Sequence, residues 1–104
     1  MANVQIIIDA LRDIASENYM GHPSSRKSMH ELAFDRLQAS ATQVADILDQ
    51  NRVPNNDMKE NIQAQFESMK KNVDSYCLKT AGTEPVLIAF SKAQAEWDAL
   101  MKGI

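Results

Sequence analysis

The stretch that decides the fold is "SMHELAFDRLQASATQVADIL", Ser28 to Leu48. Phe34, Leu37, Ala41, Val44 and Leu48 recur at alternating steps of three and four, the heptad spacing that lines one side of a helix with apolar groups. Ser28 and Glu31 stand in the Ser-x-x-Glu arrangement, in which each side chain can satisfy a backbone N–H at a helix start. A strand pattern would alternate every second residue and cannot produce this seam.

Working outward, the same period appears three more times. Toward the N-terminus, Val4, Ile7, Ile8, Leu11, Ile14 and Ala15 form a stripe that starts after Asn3 as N-cap and runs to about Tyr19. Gly21-His22-Pro23 then stops it, because a glycine can take the left-handed cap and the residue before proline is pushed out of the helical region. After the turn "DQNRVPNN", one of Asn55, Asn56 or Asp57 caps a third helix, with Asp57 and Glu60 as a possible capping box. This helix carries Met58, Ile62, Phe66, Met69, Val73 and Tyr76 and ends near Gly82. Thr83-Glu84-Pro85 opens a fourth, where a first-turn proline removes an N–H that has no intrahelical partner, and Val86, Phe90, Ala93, Trp97 and Leu100 form its seam.

The expected fold is therefore all-α, a single-domain antiparallel four-helix bundle over residues 1–104 with helices at roughly 4–19, 29–50, 57–80 and 84–102. A competing reading makes "VQIII" and "PVLIAF" short buried strands of a mixed fold, since brief apolar runs are ambiguous by periodicity alone. A length of 104 residues suits one core and not two. No apolar run approaches a membrane span, no secretory signal is visible, and the single cysteine, Cys77, suits a reducing compartment. A cytoplasmic location is the expectation.

Chemistry is sparser than architecture. "GHPSSRKS", Gly21 to Ser28, nearly spells a phosphate-binding loop, but Arg26 stands where the second glycine belongs and the preceding element reads as helix. A weaker reading survives: Ser25, Arg26, Lys27 and Ser28, with His22 and His30 nearby, place cations at a helix N-terminus, where an anion or acidic partner could dock. The plainer account makes Ser28 a cap and the two cations solvated. His30-Glu31 is followed by Phe34 where a zinc-protease helix needs its second histidine, and the chain lacks the Glu-x-x-His of di-iron bundles. No metal and no cofactor are expected. The net charge of −3 argues against a broad nucleic-acid-binding surface.

Surplus apolar positions remain. Val86 to Phe90 is apolar all round its helix, and Ile6 and Leu32 lie off their seams, so Ile6, Leu32, Leu87 and Ile88 are candidate interface residues, or else additional core. Met20 and Met29 flank the basic segment. The resulting expectation is a non-catalytic interaction protein, also a possible homodimer, that binds and modulates another protein as an inhibitor, immunity factor, chaperone or assembly factor. The alternative is an anion-binding module for a phosphorylated ligand or nucleic-acid backbone at Arg26 and Lys27.

Overall fold

Short polar side chains set three of the four helix starts. A computed structural model describes residues 3–21, 28–78 and 80–103. In α1, Val4–Ser16, the Asn3 side chain accepts from the backbone N–H of Gln5 at 2.9 Å. In α2, Met29–Gln50, Ser28 accepts from Glu31 N–H at 3.2 Å, and in α3, Asn56–Cys77, Asn55 accepts from Met58 N–H at 2.9 Å. Each bond satisfies a donor that the first helical turn would otherwise leave without a partner. The start of α4, Glu84–Lys102, is different: the Thr83 side chain caps no N–H of α4, and its hydroxyl instead donates back to the carbonyl of Thr80 at 3.1 Å. Pro85 in the first turn makes that tolerable by removing one of the donors.

The described residues contain no strand, so "VQIII" and "PVLIAF" both lie in helices. The helices form a ring in which α1 packs on α2 and α4, and α3 packs on α2 and α4. Printed on the surface of this ring is the order of its contacts. Arg12 of α1 meets Asp46 of α2, whereas the later Ile14 and Ala15 carbonyls meet the earlier Gln38. Gln63 of α3 meets Trp97 of α4, whereas Cys77 meets Thr83 at the connection. Contacts thus run in opposite order along these neighbouring pairs.

Four seams meet in one core. Ile7, Leu11, Ile14, Leu37, Ala41, Val44, Leu48, Ile62, Phe66, Met69, Tyr76, Ala93 and Trp97 have no accessible surface. Val4 and Leu100, at the ends of their stripes, are only partly buried against it, and Met58 and Ala15 are likewise intermediate. Truncating a buried aromatic such as Phe66 typically costs about 3–5 kcal/mol, a large share of the stability of a domain this size. The α3/α4 pair packs most loosely of the four, and stacked Phe66 and Trp97 rings, 5.6 Å apart, fill the space between them. The Trp97 indole N–H donates to Gln63 Oε1 at 2.7 Å, so its polar edge is satisfied as the ring is buried.

Two boundaries differ from expectation. α1 stops at Ser16, not near Tyr19, and Gly21 does not adopt a left-handed conformation. The cause is tertiary and is described below. α3 stops at Cys77, and the Thr83 hydroxyl gathers the carbonyls that follow, including that of Cys77 at 3.5 Å. The second capping box, Asp57 with Glu60, does not form, because Asn55 is the cap.

Gly82 is the one described residue with positive φ, +79°, and it turns the chain from α3 into α4. A Cβ there would add left-handed strain and approach the Met20 methyl at 3.2 Å. Gly82→Ala is expected to cost about 1 kcal/mol and to lower Tm by roughly 4–8 °C, whereas Gly103→Ala, with ordinary φ and contacts, leaves Tm nearly unchanged. Thermal melts followed by circular dichroism check both; equal shifts in the two variants would contradict the assignment.

Candidate interaction surface

At one end of the bundle α1 leaves, α2 enters, α3 leaves and α4 enters. Gln38 of α2 determines how α1 leaves. Its Nε2 group faces the carbonyls of Ile14, Ala15 and Glu17 at 3.2, 3.1 and 2.7 Å. The Ile14 carbonyl also accepts from the Glu17 N–H at 3.2 Å, whereas for the Ala15 and Glu17 carbonyls a side chain from the neighbouring helix supplies the donor that a helix end lacks. Glu17 is extended, with ψ 154°, so the helix terminates there.

Residues 17–21 then cross toward α3. Tyr19 inserts its ring among others, 5.8 Å from Tyr76 and 5.9 Å from Phe34, while Phe34 and Tyr76 lie 4.6 Å apart. The next residue is tied as well: Met20 N–H donates to the Tyr76 hydroxyl at 3.0 Å. Gly21 is needed by proximity, since a Cβ there would run into the Tyr19 ring. With Tyr19 turned inward and Met20 held by its backbone, the Met20 side chain is left outside, 54% exposed.

This end collects apolar surface. Among the described residues seven large apolar side chains are exposed, and all but Val53 belong here: Met20, Met29, Leu32, Leu78, Leu87 and Ile88. Single exposed apolar groups are ordinary, but this concentration at one end of a small bundle is what an interaction surface requires. The chain from Val86 to Phe90 resolves into two faces. Val86 and Phe90 are buried, whereas Leu87 and Ile88 are 45% and 67% exposed, so these two do not belong to the core.

The remaining sequence-derived candidates fall as follows. Leu32 is exposed at this end, and Ile6 lies half-buried in α1, in the half of that helix remote from it. Ser28 is engaged as the α2 cap, with the Tyr19 hydroxyl 3.4 Å from its oxygen. Its capping box is half formed: Ser28 accepts from Glu31 N–H, but Glu31 Oε1 is buried with no partner among the described residues. His30 is half-buried, and its Nδ1 is likewise without one. His22, Ser25, Arg26 and Lys27 lie outside the described residues. Met20 and Leu78 gave no seam signal, since their exposure follows from where α1 and α3 end.

Concavities carry little chemistry. One, about 540 Å³, runs between α3 and α4 over Phe66 and Phe90, with Gln63, Glu67, Lys70 and Gln94 on its walls. Ser91 and Asp98 also line it, but among the described residues no hydrogen bond joins the Ser91 hydroxyl to a base. Among the described residues no three of His, Cys, Asp and Glu group closely enough to hold a metal ion, and no helix is long and apolar enough to cross a membrane. Cys77 sits half-buried with its Sγ 3.9 Å from the Thr83 carbonyl. Burial holds its thiol above the ordinary range, which disfavours the reactive thiolate. Burial also raises the Tyr76 phenol, against the lowering effect of the bond from Met20 N–H.

No family model matches this chain, and neither the curated proteins nor the solved structures contain one significantly similar to it.

The Tyr76 hydroxyl is the acceptor that holds Met20, so Tyr76→Phe should speed hydrogen exchange of the Met20 amide about fivefold, from a loss of about 1 kcal/mol, with the helical spectrum kept. Because folding favours the neutral forms of Tyr76 and Cys77, that stabilisation is complete below the ordinary thiol and phenol ranges and is lost as pH rises through the raised values. Urea melts should therefore show stability falling above about pH 9, less steeply in Tyr76→Phe. An alkaline slope identical in the variant would contradict the role of this phenol.

Proposed function

We propose that this protein is a non-catalytic interaction protein, able to form a homodimer, that binds and modulates another protein through the end of the bundle where α1 leaves and α2 enters. The class includes inhibitors, immunity factors, chaperones and assembly factors. One observation carries the reading: six of the seven exposed large apolar side chains described sit at that end, away from the core they could have joined. Desolvating such groups drives association without directional chemistry, and the methionines Met20 and Met29 suit a surface that must fit a partner's contours.

The second reading, an anion site at the α2 start, has less support. The Ser28 oxygen is engaged in the cap, and Arg26 and Lys27 lie outside the described residues.

The discriminating variant is the double change Met29→Ser with Leu32→Ser, two exposed positions whose replacement leaves the core intact. Affinity capture from the native lysate, followed by isothermal titration with the purified captured protein, should show binding weakened at least tenfold by the double variant and unchanged by Val53→Ser at the opposite end. Equal binding by all three proteins, or capture of nothing, overturns the reading. Heat on titration with inorganic phosphate that vanishes in Arg26→Ala would favour the anion site instead.

A further inference from the structure

The outer face of α4 repeats a pattern with its own inverse. Along the solvent side of this helix, Glu84, Ile88 and Lys92 follow one another at steps of four, and all three are exposed. Ile88 is the most exposed large apolar side chain of α4 at 67%. Among the described residues neither Glu84 nor Lys92 forms an ion pair, although Arg12 and Arg52 do so with Asp46 and Asp49. An acid one turn before an apolar centre and a base one turn after it cannot satisfy each other along a single helix, because they stand two turns, roughly 12 Å, apart.

A second copy removes that separation. When two identical helices pack antiparallel about a two-fold axis, a residue one turn before the axis comes opposite the residue one turn after it in the other copy. With the axis at Ile88, the Ile88 side chains of both copies bury each other. Glu84 of each copy then faces Lys92 of the other, and two ion pairs close symmetrically on either side of the apolar centre. No such match arises in parallel packing, which sets Glu84 against Glu84 and Lys92 against Lys92. On the same side Ala95 and Ser91 are small enough to allow close approach, and Lys92 with Ile88 also borders the concavity that Asp13 and Glu17 of α1 line.

We propose that the outer face of α4 is an isologous self-association surface, occupied by α4 of a second copy of this chain packed antiparallel about Ile88. The inference rests on the reading of the protein as an interaction module and specifies one of its surfaces, leaving Met29 and Leu32 on α2 for a different partner. A single helix-on-helix contact lies at the small end of protein interfaces, so the dimer is a weak one whose symmetric ion pairs make it sensitive to salt.

The test is sedimentation equilibrium of the full chain over roughly a thousandfold range of concentration, at low and high salt, with circular dichroism confirming each fold. The wild type should pass from monomer to dimer and dissociate more readily in high salt. Lys92→Glu and Glu84→Lys alone each place like charges opposite one another twice, and each should weaken association at least tenfold. An equimolar mixture of the two restores both opposite-charge pairs in the mixed dimer, so association should return toward the wild-type level. Ile88→Ser should abolish it without touching either charge. Wild type that stays monomeric throughout, a mixture no better associated than either variant, or single variants that dimerise as well as wild type would each overturn the proposal. A monomer that still loses its partner on changing Met29 and Leu32 would sink this inference alone, and a charge-dependent dimer with no such partner would sink only the other reading.

Discussion

The carbonyls of Ile14, Ala15 and Glu17 that converge on the Gln38 amide decide what this end of the bundle looks like. A helix end must find donors for its last carbonyls, and water, a left-handed glycine or a side chain can provide them. Here the donor belongs to α2, so the position of the stop is dictated by the packing of one helix on another and not by the local chain. Because α1 stops at Ser16, residues 17–21 are long enough to reach α3 and deliver Tyr19 to the Phe34 and Tyr76 rings. Had α1 continued three more residues, Tyr19 would project about 300° further round its axis than Ser16 and along the bundle, away from that cluster. The exposed position of Met20 and its approach to Gly82 follow from the same event.

That dependence explains which features the amino-acid pattern made legible. The four seams were readable because steps of three and four can only line one side of a helix, and every central seam position is buried. Asn3, Ser28 and Asn55 were readable as caps because the donor they satisfy lies within three residues of them. The α1 terminus was not, because its donor is more than twenty residues away in sequence and nothing local marks it. Gly21 invited the wrong explanation for a similar reason: a glycine after a helix suggests a left-handed cap, whereas this one makes room for a ring two residues earlier. Of the candidate interface residues, Leu32, Leu87 and Ile88 were visible as apolar groups off their seams. Met20 drew notice only as a methionine beside the basic segment, and Leu78 not at all, since no periodicity exists beyond a helix end.

The same period separates core from solvent in α4. Residues 86 and 90 share one side of the helix and 84, 88 and 92 another, so an apolar run of five residues divides between a buried and an exposed side. The core side is held by the Phe66, Phe90 and Trp97 rings, and the loose α3/α4 packing is compensated by their volume and by the Gln63 bond to the indole. The other side adds nothing to the core. Leaving Ile88 in water forgoes roughly 1.5–3 kcal/mol that full burial of such a side chain would supply.

That forgone burial weighs more here than in a larger protein. A domain of this size retains only a modest margin between hydrophobic gain and conformational entropy, and exposed apolar groups promote unspecific association. Six of the described ones lie at one end, where restraint of the backbone limits that tendency. The structure supplies that restraint in kind: the Met20 amide is bonded to Tyr76, Ser28 is engaged in a cap beside Tyr19, and the Thr83 hydroxyl ties the α3 exit to the α4 entry. An apolar surface whose backbone is fixed presents one shape, loses little entropy on binding and favours partners that match it. The polar bonds at this end thus do more than terminate helices, because they hold the described backbone from which Met20 and Met29 project.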